Sequence, residues 1–201
     1  MDLEAEYNNR AAVPDHTAFM GRWKATAEAF RAERPPVALA YGAGAREVMD
    51  LWEVGPDAPI AVFIHGGYWQ ALDKSWFSGI APALLAQGVS VAIPSYDLCP
   101  DVRLGRIVGQ MRAVTDLLRA RMGARPLVFG HSAGGHVAAC MLSEGRASAA
   151  VALSGVFDLE PLIPTSLNTA LGLDALTAAA LSPIHWPAPN GGAPGGTVLD
   201  C

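Results

Sequence analysis

A serine inside the sequence GHSAG, residues 130–134, has the surroundings of a nucleophile that is presented by a sharp turn. The apolar residues 126–129 before it predict a short strand, and residues 134–143 predict a helix. A strand that turns abruptly into a helix would hold the hydroxyl of Ser132 above the carboxyl edge of a sheet, and the small neighbours would allow so tight a turn. A serine in this position could attack a carbonyl carbon and form a covalent intermediate.

A second motif, HGGYW at residues 65–69, could supply what acyl transfer needs besides a nucleophile. The tetrahedral intermediate carries negative charge on the former carbonyl oxygen, so N–H donors must already point at that position. Gly66 and Gly67, which follow the apolar strand predicted over residues 60–64, can bring bare backbone N–H groups close to it. The N–H of Ala133, next to the nucleophile, would be the third donor. We therefore predict an oxyanion hole made of these three residues.

The two aromatic residues that complete this motif, Tyr68 and Trp69, allow two interpretations. They are either core aromatics or the lining of a pocket for the acyl or aryl part of a substrate, and we retain them as substrate-binding candidates. His65 is interpreted as a residue that shapes its loop, because the chemistry there belongs to backbone N–H groups. His131 and His136, which flank the nucleophile, are interpreted as packing residues or as residues that support the site without touching the substrate.

Both motifs resemble those of the kynurenine formamidase (arylformamidase) branch of the α/β-hydrolase superfamily, which is close to the hormone-sensitive-lipase-like esterases. The stretch SYDL at residues 95–98 and the opening EYNNR at residues 6–10 fit the same resemblance, which runs from about Glu4 to about Pro187. It implies an α/β-hydrolase fold and the hydrolysis of a small formamide such as N-formylkynurenine, a reaction of tryptophan catabolism, through a serine nucleophile. A carboxylesterase of the hormone-sensitive-lipase-like type is the alternative, because related esterases share the same frame.

The rest of the chain alternates short apolar strands with helices, which predicts a mostly parallel, doubly wound sheet covered on both faces. A helix over residues 17–34, ended by two prolines, precedes a hairpin-like pair of strands over 37–41 and 47–54. In the resembled family such a helix would help to cover the active site, so residues 1–36 are assigned as a helical cap of a hydrolase domain over 1–187. The predicted alternation comprises strands 60–64, 89–94, 126–129 and 149–153 and helices 75–87, 104–122 and 134–143.

The residues after the last predicted strand do not supply an evident acid and histidine, which should follow Ser132 in that order. They contain one predicted helix near residues 171–181 and an irregular tail rich in glycine and proline over 188–201. Asp158 and His185 stand in the permitted order, but the resemblance places this histidine in a segment that leads into a further strand. We therefore expect a sheet that lacks its last two strands, and a truncated, inactive hydrolase is a third hypothesis.

Length and composition fit one enzyme domain of 201 residues with a net charge of −5. The chain has no basic run, no apolar stretch of membrane-spanning length and no signal-peptide pattern, which argues against nucleic acid or a membrane as partner. Cys99, Cys140 and Cys201 lack the spacing of a disulfide framework or a zinc site. We expect a cytoplasmic protein without a metal or another cofactor, whose partner is a small acyl or formyl substrate, with a homodimer as an open alternative.

Overall fold

Six strands form one sheet in the computed structural model of the chain, which describes residues 1–188. Their order is β1-β2-β4-β3-β5-β6; the first two strands pair antiparallel, β2 joins β4 antiparallel, and the remaining four strands run parallel. This arrangement confirms the mostly parallel sheet that the alternation of elements predicted. The strands are β1 (Val37–Ala40), β2 (Val48–Trp52), β3 (Ile60–Ile64), β4 (Ser90–Pro94), β5 (Leu127–His131) and β6 (Ala149–Leu153).

Helices cover both faces of this sheet, as the side chains of β3 demonstrate. Val62 and its neighbours on one face join the larger apolar core, which includes α5 and α6, whereas Phe63 belongs to a smaller core against Trp52, Phe77 and α4. Alternate residues of a strand point to opposite faces, so an uninterrupted apolar strand needs cover on both sides. The helices are α1 (Leu3–Tyr7), α2 (Asn9–Ala12), α3 (His16–Glu33), α4 (Ala81–Leu85), α5 (Leu104–Met122), α6 (Ala133–Ser143), α7 (Asn168–Leu171) and α8 (Ala175–Leu181).

Two predicted helices are wrong in extent. The helix expected over residues 75–87 is two 3₁₀ turns followed by the short α4, because the chain at Gly79 passes so close to α3 that a Cβ there would lie 2.7 Å from Cγ2 of Thr26. The helix expected near residues 171–181 is divided in two. Gly172, at φ 60°, ends α7, and the side chain of Asp174 then caps α8 by accepting the N–H of Thr177 at 2.7 Å.

A buried ionic cluster fixes the N-terminal helix α3 on the sheet. Asp50 on β2 is only 1% exposed, and its carboxylate accepts hydrogen bonds from Arg31 of α3 and from Nζ of Lys74, the latter at 2.7 Å. A buried carboxylate needs such partners, since an unpaired charge in the interior is costly. Lys74 follows the HGGYW motif closely along the chain, so this cluster also ties α3 to the region of the predicted site.

The last strand of the described residues is β6, and short helices and turns follow it up to residue 188. The tail predicted over residues 188–201 lies outside the described residues except for its first member, and the division into a cap and a hydrolase domain stays a prediction. None of the helices in the described part of the chain combines the length and the apolar character that crossing a membrane requires.

Candidate active site

Ser132 lies at the junction between β5 and α6. Its backbone has φ 54° and ψ −116°, a conformation that residues other than glycine rarely adopt. Two hydrogen bonds hold this conformation. The Ser132 N–H donates to the carbonyl of Leu153 at the end of β6 (2.8 Å), and its own carbonyl accepts from the N–H of His136 (3.1 Å). The sheet edge and the first turn of α6 thus aim the serine side chain together, as a nucleophile at a strand-to-helix turn requires.

Two glycines of the same motif let the turn close. A Cβ on Gly130 would lie 2.9 Å from the backbone nitrogen of Gly135, and one on Gly134 would lie 2.8 Å from the carbonyl oxygen of His65 and still closer to that of Ile64. Real Cβ atoms do not approach backbone so closely, and the obstacles are backbone atoms that cannot move aside. Because these two residues have no side chains, the start of α6 can pack directly against the end of β3, beside the HGGYW motif.

The backbone of this motif, residues 65–69, turns through three successive left-handed conformations: Gly67 at φ 106°, Tyr68 at φ 49° and Trp69 at φ 56°. Such a run costs free energy and persists only where the surroundings enforce it. The Gly67 carbonyl accepts the N–H of Gln70 at 2.9 Å, and the Trp69 carbonyl accepts the N–H of Cys99 at 2.8 Å. The loop is thus held in one shape by bonds to its own chain and to the segment after β4.

Three backbone N–H groups in the region of Ser132 have no acceptor among the described residues. Among residues 1–188, the N–H groups of Gly66, Gly67 and Ala133 have no hydrogen-bond acceptor, although Gly66 and Ala133 are buried. A Cβ on Gly66 would stand 3.3 Å from Cβ of Ser132, so this part of the loop lies against the serine. Buried donors are nearly always paired in folded proteins, so these N–H groups are candidates to bind an acceptor that enters the site.

The two aromatic residues of the motif take different places. Tyr68 is half-buried, lines the cavities beside Ser132 and donates its hydroxyl to the carbonyl of Tyr7 at 2.8 Å. Trp69 is fully buried, and its indole ring meets the ring of His136 edge-on at 5.1 Å between centroids. The structure thus places Tyr68 where a substrate could touch it and Trp69 in the packing behind the loop.

The buried histidines near the serine are packed as neutral rings. His65 lies between Tyr96 and Phe77, at 4.2 and 5.7 Å between centroids, and the Nε2 atom of His136 is 2.7 Å from the carbonyl of Leu181. Burial lowers the pKa of each imidazole to about 4, because the charged form loses its hydration. Neither hydrogen-bonds the serine hydroxyl, which is consistent with the loop-shaping and packing roles predicted for these two residues from the sequence. His131, for which packing was also predicted, is instead exposed and lines both cavities that contain Ser132.

Within the described residues, no imidazole hydrogen-bonds the hydroxyl of Ser132. Asp158 is half-buried and lines a cavity with Ser132, but His185 is exposed and lies in neither cavity that contains the serine. The pair that the chain order permitted is therefore not assembled around Ser132 in this structure. Residues 1–188 also contain no group of three or more His, Cys, Asp or Glu side chains placed to hold a metal ion.

Acidification from pH 6.5 to about 4 is expected to destabilise the fold through His65 and His136. Both have a folded pKa of about 4 against an ordinary 6.5, so between these values the unfolded chain binds more protons than the folded one. The stabilisation is complete above pH 6.5 and is lost as the pH falls through the folded pKa. The cost at the low end is about 3 kcal/mol per imidazole.

Urea unfolding at intervals between pH 7 and pH 4 measures this loss. His136→Gln should flatten the pH dependence, whereas His185→Gln, which changes an exposed side chain, should leave its slope as in the parent chain. A free energy of unfolding that stays constant across this range would contradict the neutral, buried state of the two rings.

Two cavities meet at Ser132. The first, of about 380 Å³, extends towards α2 and α3, and we call it the N-terminal cavity; Arg10, His16, Phe19, Tyr68 and Gly66 are among its lining residues. The second, of about 520 Å³, lies towards the end of β6, and Ser154, Phe157 and Asp158 line it together with Ser132. A substrate whose carbonyl carbon is at the serine could thus place one part in each cavity.

Comparison with known proteins gives consistent matches. A family model described as alpha/beta hydrolase fold matches residues 61–182. The chain is 32% identical over 156 residues to the kynurenine formamidase of Salmo salar and 31% identical over 159 residues to that of Danio rerio. These matches cover 71% and 73% of this chain but only 53% and 54% of the relatives, so the chain spans about half the length of the curated relatives it matches.

Solved structures agree with the fold. A crystal structure of a protein proposed to be a thioesterase, from a Silicibacter species, matches with a TM-score of 0.86 and 37% identity, over 93% of this chain and 76% of that one. The apo form of Thermogutta terrifontis esterase 2 matches with a TM-score of 0.63 and 21% identity, over 76% of this chain and 67% of that one. The second likeness bears on the fold alone.

Proposed function

Because this chain belongs to the α/β-hydrolase fold family, we propose that it provides the nucleophile and oxyanion hole of a serine hydrolase of the arylformamidase type. Its substrate is a small formamide such as N-formylkynurenine, which would give the protein a role in tryptophan catabolism. The observation that carries this proposal is the set of three backbone N–H groups, on Gly66, Gly67 and Ala133, that have no acceptor within residues 1–188 and belong to residues next to Ser132 or in the same cavity. The similarity to kynurenine formamidases supports the choice of substrate.

The proposed reaction begins with attack of the Ser132 oxygen on the formyl carbon, while a general base removes the hydroxyl proton. The negative charge that develops on the carbonyl oxygen is stabilised by the three N–H groups. Cleavage of the C–N bond releases the aromatic amine, which takes up the proton, and leaves a formyl ester on the serine. Water then attacks this ester and releases formate, which returns the serine to its starting state.

The experiment must allow for a general base outside the described residues, because no histidine of residues 1–188 hydrogen-bonds the hydroxyl of Ser132. We would assay the 201-residue chain and the protein expressed from the full open reading frame that encodes it, using N-formylkynurenine and p-nitrophenyl acetate as substrates. Turnover with preference for the formamide supports an arylformamidase. Absence of turnover from both proteins would overturn the proposal in favour of an inactive hydrolase.

A carboxylesterase is the second candidate, and one observation extends it to thioesters. The solved structure that is 37% identical to this chain belongs to a protein proposed to be a thioesterase. An oxyanion hole and a serine nucleophile serve formamides, esters and thioesters alike, since all three pass through a tetrahedral intermediate. The same assay should therefore include a short acyl thioester, and a preference for either ester over the formamide would replace the arylformamidase assignment.

Substitution of Gly66 or Gly67 by alanine is expected to lower kcat by about 10²–10³-fold, with a smaller effect on KM. A Cβ on Gly67 would lie 2.6 Å from the carbonyl oxygen of Ala71 at an unfavourable φ, and one on Gly66 would lie 2.8 Å from that of His131. Either change displaces a donor that acts on the transition state. The control is Gly55→Ala, at a glycine with open space around it; kinetics identical to that control would remove these two glycines from the oxyanion hole.

A further inference from the structure

The N-terminal cavity is lined by one arginine and by no carboxylate among the residues that the structure describes. Besides the cationic side chain of Arg10, its lining includes the imidazoles of His16 and His131. Ser132 and Gly66 lie in the same cavity. A substrate that reacts at the serine and extends into this space would therefore meet an arginine and no carboxylate.

Three arginines of the described residues, Arg10, Arg22 and Arg119, have side chains without an ion pair or a hydrogen-bond acceptor, and of these Arg10 is the one that lines the N-terminal cavity. Arg31, Arg112 and Arg146 each form an ion pair with a carboxylate. Within residues 1–188, the exposed side chain of Arg10 has neither an acidic partner nor a hydrogen-bond acceptor. Its guanidinium group is thus available to an anion that enters the cavity.

The segment that carries Arg10 is attached to the site at several points. The side chain of Asn8 caps α2 by accepting the N–H of Ala11 at 3.2 Å, and the carbonyl of Tyr7 accepts the hydroxyl of Tyr68 at 2.8 Å. On the far side, the carboxylate of Glu4 accepts both the N–H and the hydroxyl of Ser166 at 2.8 Å. These bonds keep the start of the chain against the oxyanion loop, so Arg10 is part of the cavity wall.

The remaining wall of the cavity is largely aromatic, which limits the kind of anion that fits. Phe19, Trp23 and Phe77 line it together with Tyr68, and its volume of about 380 Å³ suits a ring with a short side chain. Flat rings pack well against aromatic faces, and Arg10 adds a cationic group that can pair with an anion on the ring's side chain.

We infer that Arg10 is a specificity-determining residue that binds the carboxylate of an aromatic substrate. This carboxylate belongs to the amine part of the substrate, which leaves when Ser132 takes the acyl group. A guanidinium group binds a carboxylate through two parallel hydrogen bonds, which fixes both position and orientation. This assignment rests on the proposed function and adds to it the residue that distinguishes anionic from neutral substrates.

The test compares two formamides that share the reacting group and differ in charge. N-formylkynurenine carries an amino-acid carboxylate, whereas 2-formamidoacetophenone keeps the ring and the formamide without it. In the full protein encoded by the open reading frame, Arg10→Met is expected to lower kcat/KM for N-formylkynurenine by about 10- to 100-fold, mostly through KM, and to leave the neutral substrate within a factor of two. Arg10→Lys should retain part of the preference.

The control is Arg119→Met, which removes another exposed arginine, on α5 and outside the N-terminal cavity. It should leave both substrates unaffected. Equal loss on both substrates, or no loss on either, would overturn the role of Arg10. Failure of the unaltered protein to hydrolyse even the neutral formamide would instead contradict the proposed function.

Binding of kynurenine, the amine product, gives a readout independent of turnover. Arg10→Met should weaken it by a factor similar to the rise in KM, and unchanged binding would count against a contact with the carboxylate.

Discussion

Ser132→Ala is expected to lower kcat by about 10⁴–10⁶-fold on whichever substrate the protein hydrolyses, with little change in KM. The variant keeps the N–H groups of the proposed oxyanion hole and both cavities, but it removes the oxygen atom that is proposed to form the covalent bond. The loss should therefore be confined to chemistry. Steady-state kinetics, together with labelling by a fluorophosphonate probe and mass spectrometry of the labelled peptide, measures both parts of this expectation.

The matched control is Ser148→Ala, which removes an exposed serine hydroxyl in the turn before β6. It should retain full turnover and full labelling. A Ser132→Ala protein that is still labelled, or that keeps more than about 1% of the turnover, would show that another residue is the nucleophile, since triad serines typically contribute far more.

Gly134→Ala is expected to have the largest effect on stability, a loss of at least about 3 kcal/mol in the free energy of unfolding. The added Cβ would overlap the carbonyl groups of Ile64 and His65, which belong to the end of β3 and the loop after it. Backbone atoms in the middle of a sheet cannot move aside, so the start of α6 must shift instead. Urea unfolding measures the loss, and the shift should also abolish labelling of Ser132.

Gly109→Ala is the control for this prediction, because it makes the same chemical change inside α5, where a Cβ would meet nothing within 4 Å. An alanine in a helix interior is more favourable than a glycine, so this variant should be more stable by about 0.5–1 kcal/mol. Two variants of similar stability would contradict the close contact between α6 and β3.

Local sequence patterns were sufficient for most of the fold. The strand at residues 60–64 and the helix at residues 104–122 have the predicted bounds, because each carries its own apolar pattern. The helix predicted over residues 75–87 is wrong because its geometry depends on α3, which lies far away along the chain. The short helices α1 and α2 were missed, although Asp2 and Asn8 are caps that a sequence can reveal.

At the candidate site, too, the sequence predicts some features and misses those that depend on contacts between distant segments. The sequence around Ser132 and the glycine pair predicts their proximity, because motifs at the carboxyl ends of neighbouring parallel strands meet at one edge of the sheet. The sequence could not place Arg10 in the same cavity as the serine, since that position depends on hydrogen bonds that Tyr7 and Glu4 accept from distant loops. Burial of Trp69 likewise follows from packing against His136 and not from its position in the motif.

The backbone conformation of Ser132, at φ 54°, lowers the stability of the fold while it positions the serine hydroxyl. Glycine adopts this conformation without strain, whereas a side chain there costs about 1–3 kcal/mol. Selection for heat resistance alone, in a directed-evolution library or in a consensus design that ignores activity, should therefore favour Ser132→Gly. Such a protein would be more stable, but it would lack the hydroxyl that the strained turn positions.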